Sequence, residues 1–217
     1  MKILAEILSW VFLPLLTPVY GLLIAMYVIS QPFPVDAHES LYLLPETAKV
    51  AIFYMFLIFS VLAPAISFVI LRKQNIISTI DMENQKERNI PMFITLAYCL
   101  ILYSVFLYIS KENVLPKYVY ALPFSGICVT VIYTIINRWI KISLHGGGVG
   151  IMSGFLFAYA VEQAEFQFWI LIFAIIASGL TISARLFLKK HTQLEVYTGW
   201  SLAVIMTFLV NYLYPIG

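Results

Sequence analysis

Apolar residues run in long blocks along this chain, and polar residues gather in the gaps between them. A helix that crosses a bilayer needs about 20 mostly apolar residues. Seven blocks approach that length: Ile7–Ser30, Val50–Leu71, Met92–Ser110, Tyr118–Asn137, Val149–Val161, Phe166–Leu188 and Tyr197–Tyr214. The fifth is short and rich in glycine, so its ends are the least sharply drawn. The first contains Pro14 and Pro18, which predict a kink, because proline removes an N–H and its ring clashes with the preceding turn. The two-residue alternation of a membrane barrel is absent. Backbone in lipid must satisfy its own hydrogen bonds. The pattern therefore predicts an all-α fold, a polytopic transmembrane bundle of six or seven helices forming one integral membrane domain over residues 1–217.

Composition supports the same solvent. Of 217 residues, 62% are hydrophobic and 11% charged, against about 45–50% and about 25% for a soluble domain. The net charge of +2 gives no sign of a nucleic-acid partner. Cys99 and Cys128 sit inside apolar blocks and read as core residues, not as a disulfide or metal pair. Glu6 interrupts the first block and no small-residue cleavage site follows it, so this block is expected to stay rather than be removed as a signal peptide.

Counting crossings assigns the gaps to two sides. The first residues, 72–91, 138–148 and 189–196 fall on one side; 31–49, 111–117, 162–165 and the last residues fall on the other. Ten of the 13 Lys and Arg residues share the first side, and only Lys49, Lys111 and Lys117 lie opposite. Loops rich in Lys and Arg tend to stay cytoplasmic, which leans that side toward the cytoplasm. Without Lys86, Arg88 and Arg185, which have a separate reading as ligand-binding groups, the bias is seven against three.

Three gaps on the cationic side carry chemistry. In "IDMENQKERNIP", residues 80 to 91, Lys86 and Arg88 read either as a solvated connector or as a cationic clamp, with Asp81, Glu83 and Glu87 placed to hold them. Arginine offers a planar fork that matches phosphate oxygens, and lysine a movable point charge. In "KISLHGGGVG", residues 141 to 150, Ser143 and His145 precede three glycines opening a helix. Unpaired N–H groups and the positive dipole end make a helix start an anion site, with His145 at its lip as a proton carrier. The same glycines also suit a helix-packing surface. In "SARLFLKKHTQLEVYTG", residues 183 to 199, Arg185 ends an apolar block, and His191 and Glu195 stand four apart. That spacing lets a carboxylate bond an imidazole on one helix face, fix its tautomer and support its cation. The bland readings are an arginine snorkelling to headgroups and an interfacial pair holding the last helix. Lys189 and Lys190 read as headgroup anchors, and His38, on the opposite side, as a solvated loop residue.

Taken together, these stretches resemble the type 2 phosphatidic acid phosphatase superfamily over about residues 80 to 200. That family's pattern is Lys, six residues, Arg-Pro; then Pro-Ser-Gly-His; then Ser-Arg, five residues, His, three residues, Asp. Arg185, His191 and Glu195 keep the third spacing, with Ala184 in place of Ser and Glu in place of Asp. Ser143 and His145 keep the second spacing without its Pro and Gly. Lys86, Arg88 and Pro91 are a degenerate form of the first. The resemblance implies a lipid phosphate phosphatase that needs no metal or other cofactor. His191 would be the nucleophile that forms a phosphohistidine, Glu195 its orienting group, and His145 the proton donor and later base. Lys86, Arg88, Arg185, Ser143 and the N–H near Gly146 would hold the phosphoryl oxygens. Phosphatidic acid, phosphatidylglycerol phosphate, undecaprenyl diphosphate and lipid A phosphates are all admissible substrates, with membrane lipids as surroundings. Two other classes compete: a small transporter or channel, which predicts mid-membrane ionisable residues and internal repeats, and a lipid-phosphate binder that does not hydrolyse. A prokaryotic inner membrane is the expected location.

Overall fold

The computed structural model describes residues 1–34, 39–79, 82, 84–109 and 115–215. His38, Asp81, Glu83 and Lys111, singled out above, lie outside the described residues. Among the described residues, six helical stretches are long and apolar enough to cross a membrane, within the six or seven that the block pattern predicts. In chain order the helices are α1 (Lys2–Val11), α2 (Thr17–Tyr27), α3 (Glu46–Phe56), α4 (Ala63–Lys73), α5 (Asn89–Ile109), α6 (Lys117–Ile136), α7 (Leu144–Val161), α8 (Phe168–Phe187) and α9 (Gln193–Leu213). Helices α3 and α4 form one span through a π turn at Leu57–Leu62. Pro64 follows directly, and the wider turn accommodates a residue with no N–H to give.

The first block differs from the single kinked helix predicted for it. It is two short helices, divided before Pro14, and only α2 enters the bundle. Helix α2 packs on α7 and α1 packs on α8. The outer residues of α1, Ile3, Ile7 and Trp10, are exposed. Helix α1 thus packs on α8 through one face and leaves apolar residues outward.

The fifth block is the centre of the molecule, and α7 is the most enclosed span. Its glycines explain how. A Cβ on Gly150 would meet the Trp200 carbonyl at 2.8 Å, and one on Gly154 the Val204 carbonyl at 2.5 Å. Small residues four apart let α7 and α9 approach backbone to backbone. Gly147 makes room for the Tyr133 ring and Gly148 for Pro14. Exposed Ile66, Ile175 and Ile205 face outward from other spans, where lipid accepts them. Exposed Trp10 and Trp139 near one end, and Phe168 and Trp169 near the other, are placed as interfacial aromatics.

At the end opposite the chemistry-bearing loops, β1 (Ser30–Pro32) pairs antiparallel with β2 (Gln163–Phe166). Buried Lys117 bonds Glu162 through Nζ at 2.6 Å and Glu39 through its backbone N–H, while Tyr118 donates to the same Glu162. This network closes that end.

Candidate active site

The three loops on the cationic side are joined by direct bonds. Gln85 and Asn137 exchange side-chain-to-carbonyl hydrogen bonds. Arg88, buried, donates Nε to the Met82 carbonyl at 2.9 Å and Nη1 to the Ile142 carbonyl, tying the first loop to the second. The second docks on the third through Ser143 N–H to the Glu195 carbonyl at 3.1 Å and Lys141 Nζ to the Lys190 carbonyl at 3.0 Å. Tyr133 from α6 donates to the Gly199 carbonyl. Distant stretches of sequence thus form one hydrogen-bonded cluster.

The turn carrying His191 is shaped by its neighbours. Helix α8 ends with the Lys190 N–H on the Arg185 carbonyl at 3.1 Å and the Lys189 N–H on the Leu186 carbonyl at 3.0 Å. Lys189 holds φ at 53°. This is a Schellman end with lysine where glycine is the easy choice. Helix α9 then begins with a capping box. Thr192 Oγ1 accepts from Glu195 N–H at 3.4 Å, and Glu195 Oε2 accepts from Thr192 N–H at 3.0 Å. The same Oε2 lies 3.0 Å from His191 Nδ1. A carboxylate only accepts, so Nδ1 carries the proton and Nε2 is left as the nucleophilic nitrogen. The longer side chain of glutamate has a use here: one oxygen both caps the helix and orients the imidazole.

His145, His191, Arg88, Arg185 and Lys190 line one cavity of about 990 Å³. All but Lys190 are buried. The same cavity is lined by apolar side chains including Leu15, Phe68, Val69, Met92, Val129 and Ile151, and by Lys2, Glu6 and Arg72. A volume near the top of the usual ligand-pocket range exceeds what a phosphoryl group alone fills.

The structure brings together five of the eight residues expected from sequence: His191, His145, Glu195, Arg185 and Arg88. The other three do not line the cavity. Lys86 is exposed and does not line the cavity; its backbone N–H bonds Asn84 Oδ1. Ser143 is fully buried as the N-cap of α7, and its Oγ takes the Gly146 N–H at 3.2 Å. That amide is therefore engaged within the helix cap, and a Cβ on Gly146 would meet the Val196 carbonyl at 3.0 Å. The triple glycine is a packing surface. Glu87 also departs from its expected place beside the cations: its carboxylate braces the loop through Ser78 N–H and Oγ at 2.7 and 2.8 Å. Sequence reasoning missed Lys141, the cavity-lining Lys190, and the contribution of α1 through Lys2, Glu6 and Ser9. It also missed the Thr192 cap, although "TQLE", residues 192 to 195, has the capping-box spacing.

The electrostatics of His191 follow from this packing. Burial first, then the positive charges of Arg88, Arg185 and Lys141, lower its pKa to about 4, against the upward pull of the Glu195 hydrogen bond. At neutral pH its imidazole is uncharged, the form whose lone pair attacks phosphorus. The same cations that suppress its protonation attract an anion.

No protein-family model, curated protein or solved structure matches the chain.

Proposed function

We propose that the protein is an integral membrane lipid phosphate phosphatase acting through a phosphohistidine. The observation that carries this reading is the shared cavity, lined by two buried imidazoles, two buried arginines and many apolar side chains. The phosphoryl group of a lipid lies among the imidazoles and arginines, and its chain lies against the apolar lining.

His191 Nε2 attacks phosphorus, the bond to the lipid oxygen breaks, and His145, which enters the step as the imidazolium beside the bound phosphoryl anion, gives that oxygen its proton and becomes neutral. The new P–N bond leaves His191 cationic, and the Glu195 carboxylate supports the cation. Water then attacks phosphorus, His145 takes the water proton, and the P–N bond breaks to release inorganic phosphate and neutral His191. Arg88 and Arg185 stabilise charge on the non-bridging oxygens, where positioning and electrostatics supply most of the rate. Lys141 adds positive potential. Lys86, Ser143 and Gly146 have no part in holding phosphate. The arginine-rich end faces the cytoplasm in this reading, by the Lys and Arg bias, and the inner membrane of a prokaryote is the setting.

The test is phosphate release by purified protein in mixed micelles. The panel is phosphatidic acid, phosphatidylglycerol phosphate, undecaprenyl diphosphate and a lipid A phosphate, assayed with wild type, His191→Ala and His145→Ala. At least one lipid is turned over by wild type. His191→Ala abolishes this, and His145→Ala lowers it at least a hundredfold, the scale of a positioned proton donor. Full hydrolysis by His191→Ala ends the reading. Tight binding with no turnover by wild type makes the protein a lipid-phosphate binder instead, and ion flux in proteoliposomes without hydrolysis makes it a channel or transporter.

A further inference from the structure

The cavity is walled on most sides and open on one. Among the described residues, those that both line it and are exposed are Lys2, Glu6 and Trp10 on α1 and Val69 and Arg72 on α4. Every other described lining residue, from α5, α6, α7, α8 and the connecting loops, is buried or half-buried. Lys2, Glu6 and Trp10 follow one another at intervals of four, so they share one face of α1. Ala65, Val69 and Arg72 are spaced three and four apart and share one face of α4. These two helices find their main packing elsewhere, α1 on α8 and α4 on α5. A cavity whose exposed lining comes from two such helices opens between them.

The chemistry of that rim is of two kinds. Trp10 is 67% exposed and Val69 44% exposed, and Val69 belongs to the membrane span Glu46–Lys73. Apolar side chains at an opening are costly in water and at home in lipid. Arg72 stands in the last turn of α4 and Lys2 in the first turn of α1, the ends that crossing parity puts on the cationic side. Long basic side chains at such ends reach headgroup phosphates. Glu6 is the one carboxylate among the described lining residues, against Lys2 and Arg72 at the rim and the buried Arg88 and Arg185. Rim and interior thus suit one guest, a molecule with an anionic head and an apolar chain.

We propose that the gap between α1 and α4 is a lateral mouth, through which a lipid with a terminal phosphate passes from the bilayer into the cavity. Lys2 and Arg72 engage its phosphate on entry, and Trp10 and Val69 lie against its chain. Sideways entry keeps the chain out of water throughout, whereas entry from the aqueous side exposes it. That the guest is a substrate rests on the phosphatase reading above; the place of the opening does not.

The test uses the full chain in phosphatidylcholine vesicles containing a little phosphatidic acid that carries a diazirine in its acyl chain. After illumination, labelled residues are mapped by proteolysis and mass spectrometry. Label is expected on α1 and α4, within residues 6–10 and 65–72, and excess unlabelled phosphatidic acid suppresses it. Outward residues such as Ile175 and Ile205 are labelled equally by a diazirine phosphatidylcholine, and that label is not suppressed. A basic residue near an anionic lipid is worth roughly fivefold in affinity, so Lys2→Gln with Arg72→Gln lowers the suppressible label by about tenfold or more. With a lipid phosphate that is turned over, the same double variant raises KM and leaves kcat unchanged, the mark of groups that bind without entering the chemistry. The proposal is overturned if phosphatidic acid labels α1 and α4 no more than phosphatidylcholine does, or if the double variant keeps the full suppressible label. Suppressible label at both helices in a protein that hydrolyses no lipid phosphate upholds the mouth and removes the phosphatase reading alone. Hydrolysis of phosphatidic acid with α1 and α4 unlabelled does the reverse: the mouth is wrong and the phosphatase reading stands.

Discussion

Glu195→Gln separates the two tasks of Glu195 most cleanly. Oε2 accepts from the Thr192 N–H at 3.0 Å and from His191 Nδ1 at 3.0 Å. Glutamine keeps an acceptor oxygen at the same reach but loses the charge. A hydrogen bond to a charged partner contributes about 1.5–3 kcal/mol and a neutral one about 0.5–1.5 kcal/mol, so the loss is about 1–1.5 kcal/mol. That loss is felt most when His191 carries the phosphoryl group and is cationic. With about 1.4 kcal/mol per factor of ten, kcat falls about tenfold while thermal stability changes little. Thr192→Ala makes the opposite cut. It removes the cap, at about 1 kcal/mol of stability, and leaves the carboxylate on His191, so kcat falls less than about threefold. Initial rates of phosphate release and thermal unfolding of the two variants in one detergent provide the comparison. Full kcat in Glu195→Gln, or an equal rate loss in both variants, would refute the division of labour.

Other expectations follow from the same geometry. Lys189→Gly relieves the left-handed conformation at φ 53° and raises stability by about 0.5–1 kcal/mol; a lower melting temperature contradicts the assigned turn. Gly154→Ala drives a Cβ to 2.5 Å from the Val204 carbonyl and destabilises by about 1–3 kcal/mol. Gly179→Ala, which meets nothing within 4 Å, is neutral or stabilising; equal melting temperatures for these two variants would argue against the α7–α9 contact. The His191 pKa, lowered to about 4 from 6.5, makes the unfolded chain the better proton binder between those values. Its contribution to stability is complete above pH 6.5 and is lost as pH falls through 4. His191→Gln flattens that acid limb in denaturant titrations, and an unchanged limb contradicts the neutral, cation-flanked imidazole.

Much of the architecture was legible because hydrophobic length is a direct physical requirement of a bilayer. The span boundaries follow the apolar blocks, and parity of crossings puts the three loops together. The His191–Glu195 pair was legible because helical spacing places residues four apart on one face. Three features escaped for identifiable reasons. Glycines 146 to 148 are equally suited to hold an anion and to admit a neighbouring helix, and only the positions of Tyr133, Pro14 and Val196 decide between them. Lys86 and Arg88 look equivalent in sequence, but one points to solvent and the other is buried on two carbonyls. The first apolar block reads as one helix with a kink. The break there yields two helices, and the place of α1 in the cavity lining depends on its seat against α8, which no local pattern encodes.

The most direct test of the account is to find the covalent intermediate. Wild-type protein is given a 32P-labelled lipid phosphate that it turns over, quenched in alkali within the first turnovers, and mapped by proteolysis. The account predicts label that is stable to alkali, labile to acid and located on His191, and none in His191→Ala. Turnover with no labelled histidine, or with label retained in His191→Ala, would contradict it.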